Sequence, residues 1–143
     1  MYTDYDLVIP VTDTPTPLLI TASMPPENVI YRASTIPPVV AQIVPQQFGY
    51  YLVIFSVGIL STDEIQHFTF DVLRNGVPTT YGRVIVTTTG IPGTITRIAN
   101  NTVDSFQAGN TIELAVSTTG PHFTATLLRP RLTVALVGGN PAP

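Results

Sequence analysis

The 143-residue sequence contains no cysteine and no lysine. The lack of cysteine excludes thiol nucleophiles, thiolate metal sites and disulfide frameworks together. Charge of either sign is scarce: Asp, Glu, Lys and Arg make up 10% of the residues, against about 25% in an ordinary soluble domain. The six basic residues are Arg32, Arg74, Arg83, Arg97, Arg129 and Arg131, and nine acids leave a net charge of −3. A nucleic-acid binder needs a basic face that displaces counterions from phosphates, and six scattered arginines do not make one. Disorder is disfavoured as well, because 44% hydrophobic residues with few charges is the reverse of the disordered composition. So little charge leads us to expect that part of the surface is covered by other subunits and not by water.

Long apolar runs are also lacking. The longest, residues 48–60, is broken by Gly49, Ser56 and Gly58, and it is shorter than the roughly 20 residues of a membrane-spanning helix. The opening Met1-Tyr2-Thr3-Asp4-Tyr5-Asp6 has acids where a secretion signal needs a basic stretch. The expectation is a product made in the cytoplasm, without membrane insertion.

Helical periodicity is absent, and 14 prolines and 10 glycines punctuate the chain. What is present is Thr, Val and Ile, whose β-branched side chains suit pleated surfaces, in short runs separated by turn residues. Together these predict an all-β fold, an antiparallel jelly-roll sandwich of about ten strands. Residues 1–27 are rich in Pro, Thr and Asp and predict an extended N-terminal arm, with short edge strands as the alternative around 18–22. Its anchor candidates are Tyr2, Tyr5, Leu7, Ile9, Leu18 and Leu19. Tyrosine in particular gives large contact area at low entropic cost. Residues 28–137 form the predicted domain and 138–143 a loose tail.

Within the domain, strands are expected at 29–33, 39–44, 50–60, 66–73, 83–88, 94–99, 111–116, 122–128 and 132–136. Asn75-Gly76 supplies two positive-φ positions for a tight hairpin turn. The 50–60 strand is apolar at its odd positions (Tyr51, Val53, Phe55, Val57, Ile59) and at Tyr50, Leu52 and Ile54. A strand apolar on both faces is covered on both, and a neighbouring subunit would supply the second cover.

Catalytic and metal chemistry find little support. His67 and His122 are the two histidines, and no Gly-x-Ser-x-Gly elbow occurs. An acid–base cluster could be drawn from His67 with Asp63, Glu64 and Asp71. However, His67 and Asp71 would stand about 13 Å apart on one strand face. No ligand spacing for zinc or calcium appears, so the expectation is a non-enzyme without cofactors.

Several segments, in order, resemble the tumour necrosis factor and complement globular-head superfamily. Gly49-Tyr50-Tyr51-Leu52-Val53 is similar to that family's Gly-x-Tyr strand, and Val72-Leu73-Arg74-Asn75-Gly76 to its Leu-x-x-Asn-Gly hairpin. Phe106-Gln107-Ala108-Gly109-Asn110-Thr111-Ile112-Glu113-Leu114 resembles its Leu-x-x-Gly-Asp-x-Val-x-Leu element, departing at Phe106 and Asn110. The resemblance implies a jelly roll that assembles as a compact homotrimer, with Tyr50, Tyr51, Val53, Phe55, Phe123 and Leu127 as three-fold interface candidates. Similar jelly rolls recur on virus and phage particles. The resulting expectation is a capsid decoration or cement protein on the virion exterior. Its partners would be copies of itself and a major capsid protein or other shell subunit. A receptor- or glycan-binding head is the alternative.

Overall fold

A computed structural model describes residues 6–21, 28–32, 39–40, 42–79 and 81–138. Its strands are β1 (Asp6–Val11), β2 (Thr16–Pro17), β3 (Ile20–Thr21), β4 (Val29–Arg32), β5 (Val39–Val40), β6 (Gln42–Pro45) and β7 (Gly49–Leu60). They continue with β8 (His67–Arg74), β9 (Val77–Pro78), β10 (Val84–Thr87), β11 (Ile95–Phe106), β12 (Ile112–Ser117) and β13 (Phe123–Gly138). No helix occurs among the described residues. The expected all-β antiparallel sandwich is what the chain forms.

One sheet runs β11-β7-β13-β3-β5, with β1 paired to β13; the other runs β10-β8-β12-β6-β4, with β2 on β12 and β9 on β8. The core lies between them. Tyr51, Val53, Phe55, Val57 and Ile59 of β7 meet Phe68, Phe70 and Val72 of β8 and Ile112, Leu114 and Val116 of β12 in one buried cluster. Phe68 stacks parallel to Phe70, and Phe123 meets Phe68 edge-on with centroids 5.1 Å apart, a favoured aromatic geometry. The Asn75-Gly76 turn forms as the sequence predicts: φ is 51° and 81°, and Arg74 pairs with Val77 across it.

The N-terminal arm expected over residues 1–27 is corrected for residues 6–21. β1 pairs antiparallel with β13 from Asp6↔Leu128 to Val11↔Phe123. Leu7, Ile9 and Val11 turn one face onto the core, and Leu18 and Ile20 are fully buried in it. Leu19 is half-buried, and the Leu18 N–H donates to the Leu114 carbonyl at 2.8 Å. Proline is tolerated here because β1 pairs with β13 alone among the described residues. An edge strand does not need every N–H. Tyr2, Tyr5 and the tail from 139 lie outside the described residues.

Three further expectations change. The 39–44 strand is divided: β5 joins one sheet and β6 the other. The 94–99 strand extends to Phe106 through Asn100 and Asn101, in register with β7 throughout. The expected strands at 122–128 and 132–136 are one 16-residue strand. Pro130 does not end it, because the register against β7 shifts between Leu128 and Arg131 and Arg129 takes a φ of 50°. These are the marks of a β-bulge.

Candidate functional site

Residues directly opposite in a ladder share a face, so the register of β7 sorts its side chains. Tyr50, Leu52, Ile54, Ser56 and Gly58 face away from the core. Beside them on β11 stand Ser105, Val103, Asn101, Ala99 and Arg97, and on β13 Ala135, Thr133, Arg131 and Leu128. This outer face divides along the strand direction. At one end Tyr50, Leu52, Ile54, Val103 and Ala135 form an apolar row, with Tyr50 49% and Val103 56% exposed. At the other, Arg97, Arg129 and Arg131 surround Gly58. No acid of β7, β11 or β13 points outward on this face.

The interface candidates do not gather there. Tyr51, Val53, Phe55 and Leu127 are each at most 1% exposed in the single chain and belong to its own core, as does the half-buried Phe123 that packs against it. Only Tyr50 of the six faces outward. The physical reason is parity: the odd positions of β7 meet the second sheet, so the even ones are left for any partner. Leu52, Ile54, Val103 and Ala135 are not among the six, although the apolar even positions of residues 50–60 carry the signal for the first two. Val103 is placed by the continuation of β11 past Asn101.

Two other arginines, Arg83 and Arg74, pair with acids within the fold. The Arg83 Nε donates to Asp71 at 2.7 Å, and its second contact, from Nη2, is 3.3 Å. The hydrogen bond and charge of buried Asp71 raise the Arg83 pKa further above its ordinary value. Arg74 Nη2 bonds the Asp104 carboxylate at 2.6 Å and the Ser105 carbonyl at 2.9 Å, and its guanidinium lies 4.7 Å over the Phe106 ring. Asn110 Oδ1 accepts the Gln107 N–H at 2.8 Å and closes its own turn, whereas Asn75 Oδ1 accepts the Thr111 N–H at 2.9 Å and ties the β8–β9 hairpin to the start of β12.

The acid–base cluster drawn from the sequence is not assembled: Asp71 is held by Arg83, while His67 Nδ1 lies 3.0 Å from the Thr87 hydroxyl. His122 is 3.7 Å from Asp13, with both side chains exposed. Among the described residues no three His, Asp or Glu side chains converge as a metal site would require. No family model matches the chain, and no curated protein is significantly similar to it.

Proposed function

We propose that this chain is a non-enzymatic structural protein. It assembles as a homotrimer through the outer face of the β11-β7-β13 sheet and decorates or cements the exterior of a phage or viral shell. The observation that carries the reading is the acid-free apolar row Tyr50, Leu52, Ile54, Val103 and Ala135 on a central strand and its neighbours. A contiguous exposed apolar row is a common mark of a contact surface. The strand orders β1-β13-β7-β11 and β6-β12-β8-β10 support a jelly-roll form. The scarcity of charge supports a surface that is partly covered. Docking to the shell then falls to residues 1–5, with Tyr2 and Tyr5, and to the trimer base.

The test is the mass in solution by light scattering at micromolar concentration. The expected value is three times the 15.4 kDa of the chain, falling to one times in Ile54→Glu, where a charge would be desolvated at the contact. A monomeric wild type overturns the trimer. Particles stripped of this protein should take back the wild type and not Ile54→Glu. Equal uptake of both would overturn the decorating role as built on this face.

A further inference from the structure

We propose that Arg97 of one copy pairs with Asp6 of the next, so that the trimer closes head to tail through the two flanks of the outer face. The inference rests on the trimer proposed above and adds which groups meet across it. Arg97 on β11 stands opposite Gly58 on β7, Gly58 opposite Leu128 on β13, and Leu128 opposite Asp6 on β1. Residues directly opposite in a ladder share a face. The cation and the acid therefore occupy one transverse row of the outer face, at its two ends. Three inter-strand spacings of about 4.8 Å, roughly 14 Å in all, separate their backbones. Both side chains are exposed, and neither takes a salt bridge among the described residues.

The other charges are placed elsewhere or already engaged. Arg129 and Arg131 have interactions of their own within the chain, Arg74 and Arg83 hold Asp104 and Asp71, and Arg32 belongs to β4 of the other sheet. Asp63 and Glu64 lie in the loop after β7, Asp13 is 3.7 Å from His122, and Glu113 accepts from Gln42 in the other sheet. The Arg97 Nη1 lies 3.5 Å from where a Gly58 Cβ would stand, so its guanidinium is held over the face that a partner would cover. A row with opposite charges at its ends fits a heterologous contact, in which different patches meet and a rotation closes the ring. Rotation about an axis along the strands keeps every row at its own height, and Asp6 and Arg97 share one. Two residues further in the same direction, Val8 on β1 and Ile95 on β11 are 67% and 48% exposed. The contact that joins the charges thus brings an apolar pair together beside them. Two-fold pairing of the β11 flanks would instead bring Arg97 toward its own copy, which like charge disfavours.

Sedimentation equilibrium of the full chain with exchanged charges tests the pair. Arg97→Glu and Asp6→Arg should each weaken trimerisation about tenfold or more, because each sets like charges opposite one another. The double variant Arg97→Glu with Asp6→Arg should return to within about threefold of wild type, since the pair is then reversed and not lost. Arg97→Gln and Asp6→Asn should each weaken association by a smaller factor, and their combination no more than either alone. This neutral cycle carries the test if Asp6→Arg loosens β1. Added sodium chloride should weaken the wild type more than Arg97→Gln, because it screens the pair. A wild-type trimer that both single reversals leave unchanged, or a double reversal weaker than either single one, overturns the pair and leaves the trimer standing. A monomeric wild type overturns both.

Discussion

Along β7, Tyr51, Val53, Phe55, Val57 and Ile59 face the opposite sheet, each at most 2% exposed, while Tyr50 and Ile54 on the other side remain 49% and 41% exposed. The two sets are similar in apolar character and neighbours in sequence. They differ in what covers them: β8 and β12 of the same chain close over the inner set, and nothing among the described residues closes over the outer one. Burying one such side chain is worth roughly 1.5–3 kcal/mol, so the inner set contributes to folding, whereas on our proposal the outer set contributes to assembly. The difference teaches that apolar content locates a strand in the protein, whereas parity decides which of its residues serve the fold and which serve a partner.

Substitution can break this comparison. Phe55→Ala should cost about 3–5 kcal/mol of unfolding free energy in urea through transfer loss and cavity formation. Ile54→Ala, one residue away, should cost less than about 1 kcal/mol when measured below the association concentration. Equal costs would mean that both faces are core. Asp71→Asn extends the comparison to the other sheet, whose outer side carries the Asp71–Arg83 ion pair. Asp71 is 3% exposed, but the Arg83 side chain is 38% exposed. Solvent screening therefore places the loss near about 1–2 kcal/mol, below that of a fully buried pair.

The smallest effect separates Tyr51 from Tyr50. The Tyr51 hydroxyl donates to the Gln47 carbonyl at 2.7 Å, so Tyr51→Phe should cost about 0.5–1.5 kcal/mol and Tyr50→Phe close to nothing. Burial raises the Tyr51 pKa above its ordinary value of 10.0, partly offset by that hydrogen bond. A raised folded-state value means that the unfolded chain loses its proton first. Stability is therefore whole below pH 10 and falls as pH climbs from there toward the folded value. Melting temperatures across that range should decline less steeply in Tyr51→Phe than in wild type.

The sandwich class was legible because β-branched alternation and turn residues act locally, as Asn75-Gly76 does in its hairpin. Residues 6–21 were less legible. Their prolines suggested an unpaired arm, while the placement of Leu7, Ile9 and Val11 depends on β13, more than a hundred residues away in the chain, and Leu18 is fixed through Leu114 of β12. The contact face was half legible: both parities of residues 50–60 read as apolar, but which one faces the second sheet depends on long-range pairing that no local pattern encodes. The grouping of arginines around Gly58 was hidden for the same reason, since Arg97 and Arg129 are brought together only by the ladders on either side of Gly58.

The bulge at Arg129 and Pro130 also has a consequence for the inheritance of length changes. Leu127 and Leu132 both face the core, although five positions apart in a regular strand would put them on opposite faces. The extra residue is thus a phase shift that lets an odd-parity half and an even-parity half of one strand serve the same interior. Loss of a single codon there would turn either Leu132 and Val134, or Ala125 and Leu127, out toward water. Gain or loss of one residue in the loops after Leu60 or Ser117 would change only a connection. In this strand, the residue count at one point sets which side chains reach the interior on either side of it.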